Sequence, residues 1–258
     1  MADREGTALV TGASRGIGRE ILIALWRRGY DCIAVGRDRP RLEALRSELS
    51  GERILVLPAD LSHSQEISRL ISSVRSSTSA IDVLVNNAGL GELGPFVGAS
   101  TEHLLSMIQV NIWSVVALTR EFLPQMVARG RGHVLNVAST AAYAPGPGMA
   151  VYYATKSFVL SFSEAVAVET RGQGVTVSTL CPGATATDFD RTAGAHGKRA
   201  AAPVGMDARR VAERAVSGLL RGRRLIVPGI ANRLAIIVAR FVPRALSARI
   251  TYRVNRAK

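Results

Sequence analysis

Cysteine and histidine are scarce in this sequence, and each scarcity excludes a class of protein. Only two cysteines occur among 258 residues, Cys32 and Cys181, and both lie in apolar, strand-like runs. A disulfide scaffold is therefore excluded, and a reducing cytoplasm is the expected compartment. The four histidines are scattered without the spacing of metal ligands, so we predict no metal site.

The sequence also lacks a long apolar run, and its first residues predict no signal peptide. No stretch of about 18 uncharged apolar residues occurs, which excludes a transmembrane helix. Residues 1–6 are charged and lead directly into a strand-like run, so they do not have the pattern of a signal peptide.

Acidic residues are nearly absent from the end of the chain. Residues 199–258 contain fourteen Arg or Lys and two acids, whereas residues 1–198 contain nineteen and eighteen. The net charge of +13 therefore belongs to the tail, and the body is close to neutral. A nucleic-acid-binding protein is excluded, because no basic face with interleaved aromatic residues runs through the body.

Apolar, strand-like runs alternate with helix-like segments along most of the chain. The predicted strands are Thr7–Thr11, Asp31–Gly36, Ile54–Pro58, Val83–Asn86, Gly132–Val137, Val175–Leu180 and residues 224–227. Because these runs are continuously apolar, the sheet is expected to be parallel and buried on both faces. We predict an α/β fold: a single doubly wound (Rossmann) domain over residues 1–229, with a seven-stranded parallel sheet and helices on both faces. Residues 230–258 are predicted to add a basic, amphipathic helical extension.

A glycine-rich turn, residues 11–18, separates the first strand from the first helix. At such a turn the backbone N–H groups and the helix dipole bind a pyrophosphate. Gly12 permits the tight turn, Gly16 lets a cofactor approach, and Gly18 allows the helix to pack closely on the strand. The turn therefore predicts a dinucleotide site.

The end of the second strand indicates which dinucleotide is bound. NAD-binding proteins place an acid there, but this sequence has Gly36 followed by Arg37, and Arg15 lies in the glycine turn. Two guanidinium groups suit a 2′-phosphate, so we predict NADPH/NADP+ rather than NAD. Asp38 has two uses open to it, because it caps the next helix or faces the ribose.

Tyr152 and Lys156 lie four residues apart, and Ser139 lies thirteen residues before the tyrosine. In a helix this spacing places the phenol and the ammonium on one face, one turn apart. A nearby cation favours ionisation of a phenol, so Tyr152 can pass a proton to a carbonyl oxygen near neutral pH. Tyr153 lies about 100° away around the helix, and we assign it to packing. Together with the glycine turn, the pair predicts nicotinamide-dependent carbonyl chemistry.

These motifs resemble the short-chain dehydrogenase/reductase family over nearly the whole chain, to about Gly229. Residues 11–18 resemble its nucleotide turn, and residues 86–89 resemble its Asn-Asn-Ala-Gly motif after the fourth strand. Residues 182–187 resemble the segment that holds the nicotinamide carboxamide. The positions that match the family's catalytic residues are Ser139, Tyr152, Lys156 and Asn111.

The resemblance implies a role for each of these four residues. Tyr152 protonates the substrate oxygen, Lys156 supports the tyrosine and binds the nicotinamide ribose, and Ser139 stabilises charge on that oxygen. Asn111 holds a water that links Lys156 to solvent. The implied cofactor-binding residues are Gly12, Ser14, Arg15, Gly16, Ile17, Gly18, Arg37, Asp60, Leu61, Asn87, Ala88, Gly89, Tyr152, Lys156, Pro182, Gly183, Thr185 and Thr187.

The substrate pocket is predicted to be mainly apolar. Tyr143, Met149 and residues 184–206 are expected to line it. Residues 184–206 follow the sixth strand, where a mobile lid is favoured over a plain surface loop. The sequence resembles a branch related to ketoacyl and hydroxysteroid reductases. It lacks the Thr-Arg-Asp continuation, after residues 86–89, of bacterial 3-oxoacyl-carrier-protein reductases, which argues against a role in fatty-acid synthesis.

The tail after Pro228 is predicted to form one or two helices that break near Pro243. It carries apolar stripes with interleaved arginines; the stripes are Leu234, Ile237, Val238 and Phe241, then Leu246, Ile250 and Val254. Three uses compete: they cap the domain's own core or a subunit interface, lie on an anionic membrane surface, or dock an acidic acyl-carrier protein.

The sequence as a whole predicts an NADPH-dependent oxidoreductase that reduces a ketone or aldehyde, a small-molecule substrate of apolar character, reversibly with the secondary alcohol. It is expected to be a cytoplasmic homo-oligomer, dimer or tetramer, and peripheral at the membrane if the tail binds lipid. Two alternatives stay open: an NAD-dependent alcohol dehydrogenase, and a non-catalytic nucleotide-sensing protein on the same fold.

Overall fold

Seven parallel strands form the centre of the computed structural model, which describes residues 5–49, 51–187, 189, 193 and 205–256. The strands of the described residues are β1 (Thr7–Thr11), β2 (Asp31–Gly36), β3 (Ile54–Pro58), β4 (Val83–Asn86), β5 (Gly132–Val137), β6 (Val175–Leu180), β7 (Thr185–Ala186), β8 (Met206–Asp207) and β9 (Leu225–Ile226). The large sheet has the order β3-β2-β1-β4-β5-β6-β9. The predicted doubly wound sheet is confirmed, and its last strand is shorter than the predicted residues 224–227.

A small parallel pair of strands, β7 and β8, was not predicted. It joins the two ends of the segment expected to be a lid, because Thr185 pairs with Met206. Most of that segment, residues 188, 190–192 and 194–204, lies outside the described residues, and so does the predicted lid.

Helices cover both faces of the sheet. They are α1 (Gly16–Trp26), α2 (Arg39–Glu48), α3 (Ser64–Ser77), α4 (Thr101–Ile108), α5 (Ser114–Ala128), α6 (Ala150–Glu169), α7 (Ala208–Leu220), α8 (Ile230–Phe241) and α9 (Arg244–Arg256). A π-helical turn, Gln109–Trp113, joins α4 to α5. Pro243 separates α8 from α9, as predicted.

Alternate residues of each strand pack against opposite layers, because successive side chains of a strand point to opposite faces. Ala8 and Val10 of β1 belong to the apolar cluster that includes α1 and α7. Leu9 and Leu84 belong to the cluster that includes α3 and α5. These two cores explain why the strands read as continuous apolar runs.

The glycine turn lies where the strand order reverses, between β1 and β4. The Thr11 hydroxyl connects the two strands: it donates to the carbonyl of Val85 (3.2 Å) and accepts from the backbone N–H groups of Asn87 (3.0 Å) and Ala88 (3.1 Å). A crevice therefore opens at the carboxyl ends of these strands, which is where ligands bind in such sheets.

The two helices of the tail show that one of the three predicted uses of their apolar stripes, capping the domain's own core, is wrong. The apolar stripes of α8 and α9 are exposed, and Ile236 is the buried apolar side chain of α8. The stripes therefore do not cap the domain's own core. Within the described part of the chain, no helix is both long enough and apolar enough to cross a bilayer.

Candidate active site

A cleft of about 680 Å³ runs along the carboxyl ends of the central strands. The glycine turn forms one wall, and the loop that follows β4 forms the floor. Ser139 follows β5, while Tyr152 and Lys156 enter from α6. Segments distant in sequence therefore meet in one cavity, as the parallel order of the strands requires.

The glycine turn has the geometry of a phosphate-binding turn. Gly12 has a φ of +67° and Gly16 a φ of +56°, in the left-handed region that favours glycine. A Cβ on Gly18 would lie 2.2 Å from Nδ2 of Asn87, so the helix and the β4 loop touch at this point. Residues 14–17 line the cleft, and the first N–H groups of α1 have no partner within the helix. The residues present therefore fit a pyrophosphate.

The end of β2 is cationic on the cleft side. Gly36, Arg37 and Arg41 line the cleft near Arg15 of the glycine turn. Asp38 is the N-cap of α2: its carboxylate accepts from the backbone N–H of Arg41 (3.0 Å) and lies 3.2 Å from the Nε of the same residue. The cap is therefore the observed use of Asp38. Arg41 was missed in the sequence, although its place one turn into α2 could have indicated it.

Asp60 and Leu61 line the same end of the cleft. The carboxylate of Asp60 accepts from the backbone N–H (3.0 Å) and the hydroxyl (2.8 Å) of Ser62, and it lies 3.7 Å from Arg37. Burial favours the protonated acid, but the bonds from Ser62 and the charge of Arg37 hold the pKa of Asp60 below its ordinary value. A fixed carboxylate therefore borders this part of the site.

Tyr152 and Lys156 lie one turn apart on α6, as the spacing predicts. The Lys156 ammonium donates to the carbonyl of Val137 (2.8 Å) and lies 5.8 Å from the centre of the Tyr152 ring. Burial lowers the pKa of Lys156 to about 8. A cation is thus held beside the phenol at the edge of the sheet.

Ser139 is held just beyond the end of β5. The backbone N–H of Ala138 bonds to the carbonyl of Leu180, so the sheet pairing continues past Val137. The Ser139 hydroxyl accepts from the backbone N–H of Ala141 (3.1 Å) and begins a short 3₁₀ turn. Its side chain lines the cleft together with Tyr152.

Asn111 is buried in the π turn and holds three segments together. Its amide accepts from the N–H of Leu90 (2.8 Å), donates to the carbonyl of Leu90 (2.9 Å) and donates to the hydroxyl of Thr155 (3.0 Å). A Cβ built on Gly89 would lie 3.5 Å from both Asn111 Oδ1 and Lys156 Nζ. The water implied for Asn111 stays a prediction, since its side chain already has protein partners.

The segment after β6 closes the other wall of the cleft. Pro182, Gly183, Thr185 and Thr187 all line it. The methyl group of Thr187 would lie 3.2 Å from a Cβ on Gly16, so the segment reaches across to the glycine turn.

The substrate side of the cleft is largely apolar, and its lining differs in part from the prediction. Met149 lines it as expected, and Phe189 places its ring 5.4 Å from that of Tyr152. Tyr153, which we assigned to packing, also lines the cleft, 6.1 Å edge-on from Tyr152, because it lies in the first turn of α6. Tyr143 does not line the cleft: the 3₁₀ turn directs it into a cluster with Cys181.

Both cysteines are buried free thiols. Burial raises the pKa of Cys32 and that of Cys181 to about 12, so both stay protonated at neutral pH. Among the described residues, no group of three or more His, Cys, Asp or Glu is placed to hold a metal ion.

The cleft combines two features: a turn that fits a pyrophosphate, and a phenol beside a buried ammonium. Together these features suit one kind of chemistry, the paired transfer of a hydride and a proton. The fold and the cleft define an oxidoreductase of the doubly wound, nucleotide-binding class. A family model described as short chain dehydrogenase matches residues 6–197. The chain belongs to the short-chain dehydrogenase/reductase family.

Named relatives agree with this assignment. The chain is 42% identical over 176 residues, 68% of its length and 71% of the relative's, to the NADP-dependent 3-hydroxy acid dehydrogenase YdfG of Salmonella typhi. A short-chain dehydrogenase from Sphingobium yanoikuyae in complex with NADPH is 32% identical, with a TM-score of 0.82 over 91% of this chain and 93% of that one. The bulky-bulky ketone specific alcohol dehydrogenase of Comamonas testosteroni is 29% identical, with a TM-score of 0.77 over 93% and 95%.

Proposed function

We propose that this protein is an NADPH-dependent reductase of apolar ketones or aldehydes, acting reversibly on the corresponding secondary alcohols. The observation that carries the proposal is that Ser139, Tyr152 and Lys156 line one cleft with the glycine turn. Three arginines lie at the other end of the same cleft. One end of the cleft would therefore recognise the 2′-phosphate, and the other would carry out the proton transfer.

The proton chemistry follows from the placement of the side chains. Tyr152 donates its phenolic proton to the substrate oxygen, and Lys156 stabilises the phenolate that remains. Ser139 donates a hydrogen bond to the same oxygen, where negative charge develops. When bound, NADPH supplies the hydride that reaches the carbonyl carbon. Asn111 positions α6 through Thr155.

The preference for NADPH over NADH is supported by the charges around Gly36. Arg15, Arg37 and Arg41 offer guanidinium donors, which bind phosphate oxygens in pairs. The nearest acid in sequence, Asp38, is used as the cap of α2. The relative from Sphingobium yanoikuyae was solved with NADPH, and the Salmonella relative is named NADP-dependent.

The preference for an apolar substrate is supported by the lining of the cleft next to Tyr152. Leu90, Met149 and Phe189 supply apolar surface there. A 3-hydroxy acid, the substrate class in the name of the Salmonella relative, would need a cation for its carboxylate. Among the described residues on the Tyr152 side of the cleft, the cationic side chain is that of Lys156, and its ammonium already donates to the carbonyl of Val137. A ketone with apolar substituents therefore fits the described lining better.

The predicted dimer or tetramer also remains a proposal. It is supported by large apolar side chains that are exposed on α4, the π turn and α6, a pattern typical of subunit interfaces. They are Leu105, Ile108, Trp113, Phe158 and Val168.

The proposal is tested by titrating the pure protein with NADPH and with NADH while nicotinamide fluorescence is followed, and then by assaying a panel of ketones and aldehydes. We expect tighter binding of NADPH and its oxidation with apolar ketones. Tighter binding of NADH would favour an NAD-dependent alcohol dehydrogenase. Binding without turnover of any carbonyl would favour a nucleotide sensor, and no binding of either nucleotide would overturn the proposal.

A further inference from the structure

The two C-terminal helices present their apolar residues away from the body of the protein. On α8, Leu234, Ile237, Val238 and Phe241 are between 53% and 84% exposed. The opposite side of the helix, with the buried Ile236, packs against the domain. Helices at a protein surface usually have the reverse arrangement.

The second helix shows the same inversion. Leu246, Ile250 and Val254 of α9 are each about half exposed. Among the side chains of α9 whose burial is described, the buried one is polar: Asn255, which donates to the carbonyl of Pro147 (2.9 Å). The described residues of this chain therefore leave the apolar stripes of both helices uncovered.

The charge around these stripes has one sign. After Glu213 the sequence contains eleven Arg or Lys and no acid. Arg249 and Arg253 are exposed beside the stripe of α9, each one position from an apolar residue of the stripe. The arginines of α8 turn toward the body instead: Arg233 donates to the carbonyl of Val227 (3.0 Å), and Arg240 lies over the ring of Tyr143. Long arginine side chains can lay their stems along apolar surface and keep the guanidinium in a polar layer.

We propose that the α8–α9 surface, meaning the seven exposed apolar residues of the two stripes and the arginines beside them, docks the protein on an anionic lipid bilayer. An exposed apolar face bordered by arginines is the pattern of helices that lie in the interface of a membrane. The apolar side chains enter the boundary between headgroups and acyl chains, and the guanidinium groups bind the phosphates above them.

An anionic bilayer fits this surface better than two other partners. A second copy of the chain would bring arginines against arginines with no acid in either helix to offset them. An acidic carrier protein would pair with the arginines but would leave large side chains such as Phe241, 84% exposed, without an apolar partner. Of these three partners, the anionic lipid surface is the one that supplies both negative charge and apolar depth.

The docked helices would lie next to the cleft. Asn232 of α8 packs on Gly183, which lines the cleft and where an added Cβ would come within 2.4 Å of the Asn232 side chain. The bond from Asn255 holds α9 to the loop before α6. Resting on the proposed function, this placement means that the reductase takes apolar carbonyl compounds dissolved in the lipid layer.

The first test is co-sedimentation of the full chain with vesicles, without nucleotide or substrate, so that it does not depend on catalysis. Vesicles of phosphatidylglycerol and phosphatidylcholine in equal parts are compared with pure phosphatidylcholine. We expect the protein to pellet with the anionic vesicles and to be released as salt is raised. Recovery of the wild type in the supernatant at low salt would overturn the proposal.

Matched variants separate the α8–α9 surface from other exposed apolar residues. Leu234→Ser with Val238→Ser removes side chains that are 58% and 60% exposed, and Phe96→Ser with Val97→Ser removes side chains that are 63% and 95% exposed elsewhere. We expect the first pair to weaken vesicle binding about tenfold or more and the second pair to leave it unchanged. Equal effects of the two pairs would overturn the proposal.

Two further measurements exclude the other partners. Arg249→Gln with Arg253→Gln should weaken binding to anionic vesicles, whereas Arg120→Gln with Arg171→Gln, which removes two exposed arginines elsewhere, should not. Light scattering after size exclusion gives the mass of each variant. If Leu234→Ser with Val238→Ser lowers the oligomeric mass and vesicle binding is absent, the surface is an interface between copies and the proposal is wrong.

The link to the substrate is tested by assaying a long-chain methyl ketone and a water-soluble ketone with and without anionic vesicles. We expect vesicles to favour the long-chain ketone in the wild type and not in Leu234→Ser with Val238→Ser, while turnover of the soluble ketone is the same in both. Vesicle binding without turnover of either ketone would sink the proposed function and leave the docking surface standing.

Discussion

The ammonium of Lys156 donates a hydrogen bond of 2.8 Å to the carbonyl oxygen of Val137, the last residue of β5. This bond joins α6 to the carboxyl end of β5, where Val137 lines the cleft. Because Tyr152 lies one turn earlier on the same helix, the contact also fixes where the phenol stands relative to Ser139. A lysine that is 5% exposed and bound to a carbonyl is therefore a structural and an electrostatic element of the site.

The burial of Lys156 should be visible in the pH dependence of stability. Its pKa falls from an ordinary 10.5, which applies to the unfolded chain, to about 8 in the fold. Below about pH 8, Lys156 is protonated in both the folded and the unfolded state, so the free-energy cost of burying its charge fully opposes folding. Between the two values only the unfolded state keeps the proton, so the free energy of unfolding rises with pH.

Lys156→Met removes this titration. We therefore expect the wild type to gain stability relative to the variant, by a few kcal/mol at most, between about pH 7 and about pH 10. Urea unfolding at a series of pH values, without nucleotide, measures the difference. Parallel pH profiles for the two proteins would show that the charge of Lys156 is not the cause.

Tyr152→Phe removes the proton donor and keeps the ring. We expect turnover to fall by about 10²–10⁴-fold, because general acid catalysis contributes an effect of that size, while the dissociation constant for NADPH is unchanged. Tyr153→Phe is the neighbouring control and should change turnover little. Near-normal turnover by Tyr152→Phe would contradict the proposed mechanism.

Arg37→Gln tests recognition of the 2′-phosphate. The loss of a charge-assisted hydrogen bond should weaken NADPH binding about tenfold to a hundredfold and leave NADH binding nearly unchanged. Arg46→Gln is a suitable control, since this arginine also lies on α2 but pairs with Glu43 at 3.4 Å. Equal losses for the two nucleotides would show that Arg37 does not read the phosphate.

Gly18→Ala should destabilise the protein even though alanine is the better helix former by about 1 kcal/mol. An added Cβ would lie 2.2 Å from Asn87 Nδ2 and 2.3 Å from the carbonyl oxygen of Gly12, so the turn must shift. We expect a loss of roughly 1–3 kcal/mol in thermal or urea unfolding. At Gly98 no atom of the described residues, apart from those of its chain neighbours, lies within 4 Å of an added Cβ, so Gly98→Ala should be close to neutral. A neutral result for Gly18→Ala as well would contradict the close approach.

Phe189→Ala should change the choice of substrate rather than the binding of nucleotide. The ring lies 5.4 Å from that of Tyr152, on the side of the cleft where the substrate carbonyl must sit. Its removal widens the cleft, so we expect kcat/KM for a bulky ketone to rise about tenfold relative to that for a small one. An unchanged ratio, measured across a ketone series, would place Phe189 outside the substrate pocket.

The sequence predicted the sheet well because its strands are buried on both faces. The bounds of β1 to β6 agree with the apolar runs. A parallel strand that is covered on both faces is apolar along its whole length, so its ends are visible in the sequence as the ends of an apolar run. The last strand, β9, is shorter than predicted: it lies at the edge of the sheet, and its register with β6 covers the two pairs Thr179–Leu225 and Leu180–Ile226. The β7–β8 pair was missed because two-residue strands leave no periodicity to read.

The sequence by itself determined which chemical groups this protein carries and in what order. The sequence alone is enough to recognise the glycine turn, Ser139, Tyr152 and Lys156, because their spacing reflects local strand-to-helix geometry. Tertiary structure alone decided what those groups and their neighbours face. It assigned Asp38 to a helix cap, brought Tyr153 and Phe189 into the cleft, and moved Tyr143 behind it. It also turned the apolar stripes of α8 and α9 outward, because periodicity fixes which residues share a face of a helix, whereas packing fixes which face meets the body.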